Sequence, residues 1–281
     1  MILTNIHNLP SGVFNAVVRT IQEPKPDVLR VTELINPPIC KQLALENWET
    51  ITADASEFLW SLLGTAVHDT LAKQEDNVLV EKRITITVDG INLSGQVDRY
   101  VKPEFAVEDY KCTSVWSYLY GIKPEWERQL NLYRYLLEST NYRVKKLTIN
   151  AILRDWMMSK SVQADYPKIP FVSINIPLWT MERTNLFIKH RIAVHNTRPL
   201  PCDETERWQR PSTFAVMKEG RKSAVRVKDT QEEAQDYLDT EVKAVDQKKC
   251  QVVERVGEAL KCKSYCLVRD ICPYNFYKGS M

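Results

Sequence analysis

The sequence predicts an α/β protein in which a mixed sheet is flanked by helices and followed by a small cysteine-bearing module. Three observations carry this. Alternating apolar and polar runs, VLVEKRITITVDGINLSGQVDRYV and FAVEDYKC, are broken by turn signals at Asp89-Gly90 and Lys102-Pro103. Apolar stripes of helical period lie on either side of those runs. Three cysteines, Cys262, Cys266 and Cys272, crowd the last part of a chain of 281 residues, a length that suits one large domain or a core plus a smaller module.

Residues 1–30 contain Pro10, Pro24 and Pro26 and are expected to form an irregular N-terminal arm. A short helix should follow Pro37-Pro38, with Cys40 near its start. The segment SEFLWSLLGTAVHDTLAK, from Ser56 to Lys73, predicts a helix with Ser56 as N-cap and a stripe of Leu59, Leu63, Val67 and Leu71. His68 sits one turn beyond Gly64, so no side chain crowds its imidazole from that direction. A helical His is commonly structural, but an upstream helix can also carry it to the sheet. Pro124 opens the next helix, PEWERQLNLYRYLLES, with Trp126, Leu130, Tyr133 and Leu137 on one stripe. Gln129 and Tyr133 project together at i and i+4, as a pair or as rim and core. A strand is expected at 144–154 and a helix within 177–199. The tail from about 200 predicts a hairpin turning at Glu219-Gly220 and a helix over QEEAQDYLDTEVKAV. That hairpin carries Lys218, Arg221 and Lys222, which suit either a phosphate backbone or a solvated tip.

The middle of the sheet holds the chemistry. With Pro103 in the second position of a turn over Lys102–Phe105, counting back pairs Tyr100 with Val107 and Asp98 with Asp109. Opposed side chains share a face with Cβ atoms roughly 5 Å apart. Two carboxylates at that distance repel unless a proton or a cation lies between them. The period of two adds Lys111 to the aspartates and turns Glu108 and Tyr110 away. Two Asp and a Lys on one face suit Mg²⁺ or Mn²⁺ bound through oxygen, with the Lys orienting water or neutralising charge on a phosphate. The plain alternative is a charged surface hairpin.

A net charge of +2 means that any nucleic-acid surface must come from local clustering. No apolar run approaches the ~20 residues that span a bilayer, and the N-terminus lacks the pattern of a signal peptide. A cytoplasmic protein with no membrane partner is therefore expected. Seven cysteines in a reducing compartment argue for metal ligation plus a few thiols, with Cys112 and Cys250 among the latter. Cys262, Cys266 and Cys272 are spaced more loosely than the paired cysteines of most zinc sites, and thiolates also hold iron–sulfur clusters. Cys202 and Cys40 are both candidates for a fourth ligand. Cys202 is favoured, since a staple across the ends of a small module supports it best.

In their order these motifs resemble the PD-(D/E)XK nucleases, and within them the RecB-like exonuclease branch that includes the CRISPR adaptation nuclease and phage recombination exonucleases. Gly64…His68 matches the helical His motif, and Gly95-Gln96-Val97-Asp98 the Gly-x-x-Asp motif. Asp109-Tyr110-Lys111 matches (Asp/Glu)-x-Lys, and Gln129…Tyr133 matches Gln-x-x-x-Tyr. The resemblance covers roughly 31–154 and the C-terminal cysteines; a restriction-endonuclease-like core is expected over 31–199, and the different texture of the tail gives a basic-hairpin and cysteine module over 200–281. It implies that His68, Asp98, Asp109 and the Tyr110 carbonyl hold one or two divalent ions, and that Lys111 positions the attacking water. Gln129 and Tyr133 would contact the strand or steady the site. The branch also has members with a four-iron–four-sulfur cluster on one early Cys, near the place of Cys40, and three late ones, which favours that cluster over zinc. The implied activity is a DNA exonuclease at single- or double-stranded ends in recombination, repair or replication, in a bacterial or phage-infected cell, with a recombination or replication protein as a candidate partner. A structure-specific endonuclease and a non-catalytic DNA-end-binding subunit are the alternatives.

Overall fold

A computed structural model describes residues 1–71, 77–197, 200–275 and 277, in two compact units, Met1–Leu200 and Pro201–Met281. The first unit runs β1 (Ile2–Thr4), α1 (Ser11–Thr20), β2 (Val28–Arg30), α2 (Val31–Ile35), α3 (Pro38–Asn47) and β3 (Thr52–Asp54). It continues with α4 (Leu59–Leu71), β4 (Val78–Val88), β5 (Ile91–Val101), β6 (Ala106–Thr113), α5 (Trp116–Leu119) and α6 (Pro124–Glu138). It closes with β7 (Lys146–Leu153), β8 (Phe171–Asn175) and α7 (Met181–His195). The strands β2, β4, β5, β6, β7 and β8 form one mixed sheet, in the α/β arrangement expected for a restriction-endonuclease-like core.

Both turn readings hold. Asp89 and Gly90 take φ of 47° and 80°, the left-handed pair that a two-residue hairpin requires, and β4 pairs with β5 from Val88↔Ile91 back to Val78↔Val101. The Phe105 amide donates to the Lys102 carbonyl at 3.2 Å, and Tyr100 pairs with Val107. The ladder stops at Arg99↔Glu108, however, one pair short of the expected Asp98↔Asp109. Along one edge β5 pairs with β4. Along the other it meets β2 at Asn92–Ser94 and β6 only at Arg99–Val101. The sheet forks between those two contacts, at the Gly95–Asp98 stretch.

The core is aliphatic. Leu93, Val97, Val107, Leu130, Leu136, Leu147 and Ile149 are fully buried, each contributing roughly 1.5–3 kcal/mol by leaving water. Trp126, Leu130, Tyr133 and Leu137 of α6 are all buried, as their spacing predicts. Gly95 lets β5 pass under that helix: a Cβ there would lie 2.5 Å from Leu136 Cδ1 and 3.0 Å from both Tyr133 and Val31. Gly95→Ala should therefore lower stability by about 1–3 kcal/mol through overpacking, read as a shift in the urea midpoint.

Three expectations are corrected. Residues 1–30 are not irregular: Pro10 occupies the N-cap of α1 and so starts a helix, and Val17 on it is fully buried. Ser56 is not the N-cap of α4. Asp54 caps a single 3₁₀ turn, Ala55–Phe58, through the Ser56 amide, and α4 begins at Leu59. Nor is the α4 stripe a core face, since Leu63 and Leu71 are exposed. Positions 72, 73, 198 and 199 of the expected helices lie outside the described residues.

The second unit has the antiparallel sheet β10 (Arg226–Lys228), β9 (Thr213–Lys218) and β11 (Cys250–Arg255), with α8 (Gln231–Thr240) and α9 (Ala244–Gln247). Among the described residues, one cluster of its buried apolar side chains is built on Val216, Ala234 and Leu238.

Candidate metal centre

The fork in the sheet places two groups of polar side chains side by side. In the first, α4 carries His68 over β4 and β5. His68 Nδ1 lies 3.4 Å from Asp98 Oδ2 and 3.5 Å from Glu81 Oε1. One ligand atom from each of these residues fits within 4.8 Å of the others, a spacing that one cation can bridge. Asp98 is fixed by the Tyr110 amide, which donates to Oδ2 at 2.9 Å where the ladder has ended. Burial, and then the charge of Asp109, push the Asp98 carboxyl up to about 7, against the opposing pull of His68 and Lys111. A carboxylate held in that state gains from a cation.

Glu81 is the residue that the sequence reading missed. It lies in the interior of β4, between the pairs Val80↔Arg99 and Lys82↔Val97, and so faces Asp98 across the ladder. Its φ of 48° is unusual for a residue with a Cβ and marks a local break in the strand. Gln96 donates to its other oxygen, and Gln96 in turn accepts from Arg83. A cleft of about 540 Å³ opens here, lined by His68, Glu81, Asp98 and Tyr133 together with Arg30 and Arg83.

The second group belongs to β6 and α6. Asp109 is completely buried. Its Oδ1 accepts from Gln129 Nε2 at 3.2 Å, and Gln129 also donates to the Tyr133 hydroxyl at 2.9 Å. Lys111 Nζ sits 2.5 Å from Asp109 Oδ2 as an ion pair, yet that oxygen accepts no hydrogen bond among the described residues. A buried carboxylate oxygen left this way is suited to a cation. Burial and the Asp109 charge raise the Tyr133 hydroxyl far above its ordinary range, so it stays protonated and can only donate or accept as a neutral group. The alternation also holds on the other side: Glu108 pairs with Arg99 at 3.1 Å and the Tyr110 hydroxyl reaches Glu108 at 3.4 Å.

The structure therefore brings His68 to Asp98, and Lys111, Gln129 and Tyr133 to Asp109. Asp98 joins the two groups through the Tyr110 amide and its charge coupling to Asp109. In the second unit, Cys202, Cys262, Cys266 and Cys272 are neighbours: burial first, and then the other three sulfurs, push the Cys262 thiol up. Cys40 belongs to the first unit, on α3. Of the basic hairpin, Lys218 Nζ is paired with Asp246 at 2.7 Å, while Arg221 and Lys222 lie exposed beyond Gly220 at the turn. Among the described residues no helix is long and apolar enough to cross a membrane.

Comparison with known proteins agrees with this architecture. The solved structure of SSO0001 superposes with a TM-score of 0.51 at 15% identity, covering 94% of this chain and 95% of that one, which is a likeness of fold. A phage-related exonuclease from Haemophilus somnus 129PT also matches, at 15% identity and a TM-score of 0.33, over 48% of this chain and 68% of that one. That score is too low to bear an argument. No curated protein matches the sequence. The family model of the PD-(D/E)XK nuclease superfamily matches residues 31–273, and the chain belongs to that superfamily.

Proposed function

We propose that this nuclease is a divalent-metal-dependent DNA exonuclease of the RecB-like branch, acting at strand ends in recombination, repair or replication. Nucleases of this superfamily use divalent metals. The observation that carries the reading is the buried Asp109, with one oxygen against Lys111 and free of hydrogen bonds, beside the His68, Glu81 and Asp98 cluster. Those residues fit Mg²⁺ or Mn²⁺: the donors are oxygens with one imidazole, and the local charge is negative. The metal would be held by His68, Glu81, Asp98, Asp109 and the Tyr110 carbonyl. When bound, it supplies charge stabilisation at the scissile phosphate.

The protein's own groups do the rest. Asp109 holds the Lys111 ammonium in place, and that ammonium can orient a water and offset charge developing on phosphate oxygens. Gln129 and Tyr133 keep Asp109 from rotating. Arg30 and Arg83, which line the same cleft, are placed to receive backbone phosphates. Lys218 is less available for such a contact, since Asp246 already offsets its charge. Arg221 and Lys222 remain candidates for a secondary phosphate contact.

End-labelled and circular DNA, each single- and double-stranded, incubated with Mn²⁺ or with EDTA, test the proposal. Metal-dependent loss of linear DNA with circles intact is the expected result. Cleavage of circles would move the assignment to an endonuclease, and binding without cleavage to an end-binding subunit.

The four neighbouring thiols support a four-iron–four-sulfur cluster on Cys202, Cys262, Cys266 and Cys272, with zinc as the alternative. A module this short gains from such a staple. Anaerobic purification should yield brown protein, and Cys262→Ser should bleach it and lower the melting temperature of this unit. Colourless protein with one zinc per chain would decide for zinc.

A further inference from the structure

We propose that Trp60, Trp116 and Tyr120 form a base-stacking platform for an unpaired DNA strand, beside the metal centre. The proposal rests on the nuclease reading above and extends it to how the strand is held.

Trp116 and Tyr120 lie one helical turn apart at α5, with ring centroids 5.7 Å apart and planes inclined by only 24°. Both are open to solvent, Tyr120 at 83% and Trp116 at 48%. Trp60, near the start of α4, is 60% exposed, and the Arg154 guanidinium lies 4.1 Å from its ring centre. Rings this open contribute little to the core.

Their placement follows from the elements that build the site. Trp60 precedes His68 by eight residues on α4, about 12 Å along a helix. Thr113, at the end of β6, lies four residues beyond Asp109, about 13 Å along a strand. The Arg154 amide donates to the Thr113 carbonyl at 3.0 Å, and Asp155 accepts from the Ser114 hydroxyl and the Val115 amide, each at 2.6 Å. These bonds tie the end of β7 to the start of α5, so Trp60 with Arg154 and Trp116 with Tyr120 belong to one region of the surface.

The charges there are those a nucleic acid needs. Lys160 lies 5.9 Å from the Trp116 ring centre. Arg154, 4.1 Å from the Trp60 ring centre, supplies a second cation. Flat faces flanked by cations receive bases on the rings and phosphates on the cations, without regard to sequence. An intact duplex hides its base faces within the stack, so the platform selects an unpaired strand.

The full chain carrying Asp109→Asn, kept in EDTA so that residual metal-dependent cleavage is suppressed, is the material for the test. Binding is read by anisotropy and by tryptophan quenching, with a labelled oligothymidylate and with an abasic strand of equal length. The parent should prefer the strand with bases. Adding Trp116→Ala and Tyr120→Ala should weaken oligothymidylate binding roughly five- to a hundredfold, and the effect should largely vanish on the abasic strand. Trp116→Phe should keep most of the affinity, with circular dichroism unchanged in each variant. Equal binding of both strands by the parent, or unaltered affinity in the double Ala variant, overturns the platform. So does a loss of self-association with no change in DNA binding, which would assign the surface to a protein partner. The nuclease reading fails separately, if the unsubstituted chain cuts no DNA with any divalent metal while base-dependent binding persists.

Discussion

Replacing Asp109 by Asn is expected to lower metal-dependent cleavage of end-labelled DNA by roughly a hundred- to a thousandfold, with the fold intact. Asn keeps the shape and can still accept from Gln129, which lies 3.2 Å away. It removes the charge that holds Lys111, 2.5 Å from the other oxygen. Lys111→Ala should reduce cleavage to a similar degree but for a different reason, and stability separates the two. Without Lys111 the buried Asp109 carboxylate has lost its counter-ion, so the metal-free variant should be destabilised by about 1–3 kcal/mol, since the Lys is itself partly exposed. Asp109→Asn removes the buried charge at that position and the repulsion it exerts on Asp98, so its metal-free form should be as stable as the parent or more so. The measurements are initial cleavage rates with Mn²⁺ and urea unfolding in EDTA. Near-normal cleavage by either variant would remove this pair from the reaction.

Much of this site was legible from turn chemistry. Asp89-Gly90 and the Pro103 turn each fix a register, and the two registers place Val88 against Ile91 and Tyr100 against Val107. The same counting along the first hairpin puts Glu81 opposite Asp98, and only attention to the second hairpin alone hid it. Its left-handed φ of 48° left no mark in the sequence, because a local break of this kind depends on Gln96 across the ladder and on Arg83 two residues further along the same strand. Periodicity misled at α4 for a physical reason: a stripe at Leu59, Leu63, Val67 and Leu71 looks the same whether it meets a core or a groove. Phe171–Asn175 and Cys250–Arg255 went unread as strands because FVSIN is short and CQVVER is half polar. What makes them strands is the partner they meet, β7 and β9 respectively. The missing Asp98↔Asp109 pair is a fork that no local pattern encodes, since it arises where β2 and β6 claim different halves of one edge.

Glu81→Gln is expected to weaken Mn²⁺ binding at least about tenfold, in the range seen when groups that orient metal ligands are lost. Gln is nearly the same size, so the variant isolates the charge. The pH dependence identifies which group the metal competes with. Asp98 carries a carboxyl raised to about 7 by burial and by Asp109, so below that pH a proton occupies the position a cation would take. Binding to the parent should therefore strengthen as pH rises from 6 to 8, through the loss of that proton. The metal-free fold should move the opposite way. Between the ordinary Asp value and about 7 the native state holds a proton that the unfolded chain has released, so stability falls as pH rises across that window. Calorimetry at pH 6, 7 and 8 measures the first trend, and thermal unfolding in EDTA the second. Glu81→Gln should keep the direction of both trends, because Asp98 is intact, while shifting the affinity at every pH. A variant that binds Mn²⁺ as tightly as the parent would place Glu81 outside the metal's reach. Its strained backbone would then serve only to hold Gln96 and Arg83 beside the cleft.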